Sequence, residues 1–152
     1  MSNPSFIFVI ASIIAVFGIT ICLKQLISKV QVELEKKNDI STETVQKENS
    51  RFFIKVVLVE TIPILLVVYG FNQIASIEGT KELSELLPAI ILIIITFIVG
   101  LFMILMARQQ TLSIGDLTAN AKGAVNTILF IGISLIGAIP ILSIVAILMM
   151  LA

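Results

Sequence analysis

Histidine and tryptophan are missing from the chain, and cysteine and tyrosine occur once each, as Cys22 and Tyr69. Without histidine, the commonest metal ligand and the commonest general base are gone. A single cysteine allows neither an intrachain disulfide nor a metal centre built on several thiolates. No nucleophile–base pair or phosphate-binding loop stands in for them, and Gly115-Asp116-Leu117-Thr118 is too short a signal to count as one. A catalytic site of the chain's own is therefore not expected. Charge is scarce too: 13% of the 152 residues are charged, against about 25% in an ordinary soluble domain. The formal net charge is zero, and no nucleic-acid partner is expected.

What the chain does have is apolar sequence in blocks. Hydrophobic residues make up 58% of it, and they run from Pro4 to Leu23, Phe52 to Ala75, Leu86 to Met106 and Ala124 to Ala152. Crossing a hydrocarbon layer takes about 20 residues as helix. Lipid offers the backbone no hydrogen-bond partner, and continuous apolar runs of this length satisfy themselves only as helices, not as alternating barrel strands. The expected fold is all-α: an integral membrane protein of four transmembrane helices, arranged as two tandem helical hairpins. The first block has no basic residue before it and no small-residue cleavage pattern after it, so it is read as a helix of the mature protein rather than a signal peptide.

The charges suggest an orientation. Lys24, Lys29, Lys36, Lys37, Lys47, Arg51 and Lys55 lie in or beside the first connection, and Arg108 and Lys122 in the third; Lys81 alone lies on the other side. The positive-inside rule then puts the first and third connections in the cytoplasm and both chain ends outside, and the chain's composition fits a bacterial plasma membrane. The first helix is expected to continue through Gln25 to Lys37, which holds good helix formers and no glycine or proline, and to stop near Asn38 to Thr42. The second is expected to start between Thr44 and Asn49.

Shifting the chain by 77 positions lays Leu58 to Leu65 over Leu135 to Leu142, with five of eight residues identical, including the Ile-Pro-Ile-Leu string that contains Pro63 and Pro140. Phe53 and Ile54 fall over Phe130 and Ile131. This match argues for a duplicated hairpin, residues 1–75 and 76–152. Gly18 and Gly100 are the main correspondence between blocks one and three. The copies differ at one telling place: where the first has Glu60, the second has Gly137.

Glu60 lies nine residues after Arg51, a rise of about 13 Å, and so well inside the apolar layer. A carboxylate there costs about 3 kcal/mol on insertion scales. Removal from water favours the neutral form of a carboxyl, which makes Glu60 a candidate reversible proton site. Pro63 lacks an N–H, so the Val59 carbonyl loses its helical partner beside Glu60. That carbonyl, the Glu60 carboxylate and the Thr61 hydroxyl are oxygen ligands of the kind a sodium ion accepts; no other cofactor or metal is expected. Structural alternatives stand beside this. Lys55 is five residues away, Thr96, Ser12 or Thr20 can hydrogen-bond Glu60 across helices, and Thr61 can bond back to the Leu58 or Val57 carbonyl. Gly132, Ser134, Gly137 and Ala138 are small residues expected to let helices approach, Pro63 and Pro140 are expected kinks, and Tyr69 is read as an interface anchor or a packing residue.

The segment Val57-Leu58-Val59-Glu60-Thr61-Ile62-Pro63-Ile64, followed by Tyr69-Gly70, resembles the carboxyl-bearing outer helix of the proteolipid c subunit of rotary ATPases. Ala107-Arg108-Gln109 is similar to the start of that family's cytoplasmic loop, with Gln110 where the family has proline. A double hairpin with one carboxyl is similar to the V-type proteolipid. The resemblance implies that Glu60 binds a proton or sodium ion, with Thr61 as an auxiliary ligand. It also implies that the chain forms a homo-oligomeric ring or meets other membrane subunits, as part of a rotary ATPase or ATP synthase. The alternative is a non-catalytic membrane accessory or assembly protein with the same hairpin fold.

Overall fold

The computed structural model describes residues 4–37, 39–76, 79 and 81–151. It contains α1 (Ser5–Lys37), α2 (Thr42–Ala75), α3 (Leu83–Leu112) and α4 (Ala119–Leu148), followed by a single 3-10 turn at Met149–Leu151. No strand occurs among the described residues, and the fold is all-α. All four helices are long and apolar enough to cross a membrane, which makes the chain a multi-pass membrane protein.

The helix ends follow local chemistry. α1 runs on to Lys37 as its composition predicts, and Lys36 and Lys37 lie in its last turn, where the exposed carbonyls favour cations. α2 starts earlier than expected, at Thr42, because the Ser41 side chain accepts a hydrogen bond from the Thr44 N–H at 3.2 Å. Thr118 does the same for α4 through the Ala121 N–H at 3.2 Å, and so moves that start back from Ala124. Of the expected limits, Asn38 and Ala152 lie outside the described residues. α2 and α4 continue as helix through Pro63 and Pro140.

α1 is the central element. Against α2, Phe8 lies at Gly70, Gly18 at Val59, and Lys29 at Glu48. Against α4, Ser12 lies at Ser143 and Leu23 at Gly132. In both pairs one number rises as the other falls, so both helices run antiparallel to α1. Against α3, Val16 lies at Gly100 and Gln31 at Thr111, both rising together, so α3 runs parallel to α1. α3 and α4 also pack along each other, whereas α2 and α3 scarcely touch. Consequently α1 buries Phe8, Val16, Ile19 and Leu23 completely or almost so, while α2 leaves Val57, Leu58, Ile62 and Leu65 more than half exposed. In lipid, that outward apolar surface costs nothing to leave uncovered.

At the end of the bundle where the basic residues gather, the α1–α2 connection locks onto the start of α4. Asp39 Oδ1 accepts hydrogen bonds from Thr118 Oγ1 at 2.8 Å and from the Ile40 N–H at 2.9 Å, and Ile40 is buried in the same hydrophobic cluster as Leu117 and Ala121. The Thr118 hydrogen bond and then the Ile40 amide hold the Asp39 carboxyl below its ordinary value of 3.8. At the opposite end, the Lys81 N–H donates to the Met150 carbonyl at 2.9 Å.

Candidate functional site around Glu60

Glu60 lies near the middle of α2, beside a tight contact of α2 with α1. Val59, the residue before it, projects onto Gly18, and a Cβ at position 18 would collide with the Val59 Cγ1. The α1-facing stripe of α2 is Phe52, Val56, Val59, Pro63, Val67 and Gly70, of which all but the partly buried Val59 are buried. Glu60, one residue or about 100° on from Val59, falls at the edge of that stripe and is half-buried. It makes no hydrogen bond or ion pair with any described residue.

Each structural partner considered for Glu60 is occupied or turned away. Lys55 donates to Gln25 Oε1 at 2.6 Å; five residues place it about 140° around α2 from Glu60, on the other flank of the α1 contact. Ser12 donates to Ser143 at 3.0 Å in the core, and Thr96 donates to the Leu92 carbonyl at 2.8 Å. Thr20 is buried and its hydroxyl has no partner among the described residues, but it lies toward Gly100 of α3, 3.7 Å from where a Cβ there would sit.

Thr61 is exposed, and its hydroxyl donates to the Val57 carbonyl at 2.9 Å. The expected convergence of Thr61 with Glu60 and the Val59 carbonyl is therefore not assembled within one chain: the next residue along a helix points about 100° away. No cluster of three or more His, Cys, Asp or Glu side chains occurs among the described residues.

The residues expected to serve helix packing divide in two. Gly132 and Gly137 are buried. A Cβ at Gly132 would meet Leu23 of α1 at 2.5 Å, and one at Gly137 would meet Phe97 of α3 at 3.5 Å. Ser134 and Ala138 are exposed, and Ser134 donates to the Phe130 carbonyl at 3.0 Å. Within one chain these two pack against no other helix, since two residues along a helix is about 200° of rotation, which turns Ser134 away from the face Gly132 uses. Tyr69 is also exposed and accepts a hydrogen bond from Gln73 at 2.9 Å. Gly100 of α3 is seated differently from Gly18: a Cβ there would collide with Val16 of α1 and only touch Ile136 of α4, at 3.5 Å. Val59 and Ile136 directly precede Glu60 and Gly137.

Sequence reasoning missed the Ser12–Ser143 pair, because each block holds other polar residues, among them Ser5, Thr20, Asn126, Thr127 and Ser134, and nothing in the sequence singles out these two. No family model, curated protein or solved structure matches the chain.

Proposed function

We propose that the chain is an ion-translocating membrane protein similar to the proteolipid c subunit of rotary ATPases, binding a proton or a sodium ion reversibly at Glu60 within a ring of copies. The observation that carries this reading is an intramembrane carboxyl with no hydrogen-bond or ion-pair partner among the described residues. An unpaired carboxyl at that depth is costly, and intramembrane carboxyls of this kind mark ion pathways. The Ile-Pro-Ile-Leu string shared by α2 and α4 supports the reading of residues 1–75 and 76–152 as copies of one hairpin, the second with Gly137 in place of the carboxyl. On this reading Val59 supplies a carbonyl and Thr61 an auxiliary oxygen once a neighbouring copy closes the site. The chain sits in a bacterial plasma membrane with both ends outside, and its partners are further copies of itself or other membrane subunits.

A second reading has its own support. The apolar blocks of α1 and α3 hold one glycine each, Gly18 and Gly100, few for helices lining a tight ring. This favours an accessory or assembly protein with the same hairpin fold.

Labelling with a hydrophobic carbodiimide, which attacks protonated buried carboxyls, separates the two. Labelling of Glu60 that fades as pH rises or as sodium is added, and is absent from Glu60→Gln, is the result expected of an ion carrier. No labelling at any pH overturns it in favour of the accessory protein.

A further inference from the structure

We propose that the open side of the bundle, between α2 and α3, binds an anionic phospholipid, with an acyl chain along α1 and the phosphate at Lys24, Ser28 and Lys29. The inference stands apart from the ion-binding reading and rests on different residues.

Three helices cover most of α1 and leave one strip bare: Phe6, Ile10, Ile13, Phe17 and Ile21, all exposed. Their spacing of three and four residues keeps them on one face. α2 flanks the strip through the Lys55–Gln25 hydrogen bond, and α3 flanks it through the Gln31–Thr111 hydrogen bond. Because α2 and α3 scarcely touch, no described residue closes over it. From Ile10 to Ile21 the strip rises about 16 Å, close to one leaflet of a hydrocarbon core about 30 Å thick.

At its basic end the strip turns polar. Ile21, Lys24, Gln25, Ser28 and Lys29 line an open cavity of about 530 Å³. Lys24 also borders a second cavity of about 290 Å³ with Gln31, Met103, Met106 and Gln110. Four cations gather here and share one carboxylate: Glu48 accepts from both Lys29 and Arg51 at 2.8 Å. Lys55 spends itself on the neutral Gln25, and Lys24 has no hydrogen-bond or ion-pair partner among the described residues. Glu33 lies one turn beyond Lys29, a rise of roughly 6 Å, but no ion pair joins the two among the described residues. From Lys24, Glu33 and Glu35 lie at least nine residues, or roughly 14 Å, further out. The uncompensated charge calls for an anion. The apolar strip running away from it selects a phosphodiester that carries an acyl chain over a soluble phosphate.

The test uses the full chain in nanodiscs of phosphatidylglycerol and phosphatidylcholine, with spin-labelled versions of each lipid to measure the immobilised fraction. Phosphatidylglycerol should be preferred. Lys24→Gln should lower that preference about fivefold, the effect of one lysine at an anionic surface, and Lys24→Arg should keep it. Lys36→Gln removes the same charge about 18 Å further along α1, beyond the screening length, and should leave the preference within about twofold. Equal loss in Lys36→Gln, or no preference in the unmodified chain, overturns the site. Displacement by excess inorganic phosphate makes it a soluble-anion site instead, and no immobilised lipid of either kind means that a second copy covers the strip.

Discussion

Val59 of α2 seats its side chain on Gly18 of α1 so closely that no Cβ fits between them. This contact fixes the depth and rotation of α2 against α1, and with them the position of Glu60 one residue on. Gly18→Ala forces Val59 out of its seat, and overpacking of this kind costs about 1–3 kcal/mol. The double variant Gly18→Ala with Val59→Ala should recover most of the loss. Gly123, on the exposed side of α4 with nothing within 4 Å of its would-be Cβ, is the control: its change to alanine should gain about 0.5–1 kcal/mol from helix propensity alone. Thermal unfolding in detergent, followed by circular dichroism, reads all three. Equal behaviour at positions 18 and 123 would mean that the α1–α2 contact does not limit stability.

Ser12 and Ser143 form a hydrogen bond at 3.0 Å, with both residues fully buried, and link the two most buried helices. Such bonds between membrane helices average about 0.6 kcal/mol and reach about 1.7 kcal/mol. Ser12→Ala leaves the Ser143 hydroxyl without its partner, so each single variant should lose about as much as the pair loses together. A coupling energy near zero in the double-mutant cycle would show the pair to be incidental.

The helices themselves were legible in the sequence, because lipid leaves an apolar run of twenty residues one way to satisfy its backbone. Their starts were less so: Ser41 and Thr118 act as caps only because their side chains turn back to Thr44 and Ala121, and neither offers the reciprocal glutamate that would mark the motif. At the site, the position of Glu60 was readable from its distance to Arg51. The direction of its neighbours was not, since α2 is apolar on every side near Glu60 and its sequence carries no sign of which face meets α1. That ambiguity is why Thr61 was expected beside Glu60, and Ser134 and Ala138 beside Gly132, whereas within one chain helical rotation turns them to other faces.

The Asp39–Thr118 contact makes a pH-dependent latch between the first and third connections. Asp39 has a folded-state value held below 3.8, first by the Thr118 hydrogen bond and then by the Ile40 amide. A carboxyl bound more tightly when ionised contributes stability that is present above its unfolded value and is lost as pH falls through the lower, folded one. Amide exchange at Ile40 and Ala121 should therefore quicken as pH is lowered below about 4, after correction for the intrinsic rate, and in Asp39→Asn it should be fast and flat across the same range. Identical profiles for the two proteins would remove Asp39 from the latch.

Lys55 and Glu60 offer the sharpest separation between a structural ion pair and a free carboxyl. Lys55 donates to Gln25 at 2.6 Å on one flank of α2, while Glu60 lies about 140° around the helix on the other. If the two do not interact, Lys55→Gln should change the rate of carbodiimide labelling at Glu60 by no more than about twofold, and Glu60→Gln should abolish it. A paired lysine would behave differently. An opposite charge within about 4–6 Å favours the ionised form of a carboxyl by one to three powers of ten, so its removal would raise the reactive, protonated fraction at least tenfold. A rise of that size in Lys55→Gln would make Glu60 one half of an ion pair, and its role would then be to hold α2 in place rather than to carry an ion.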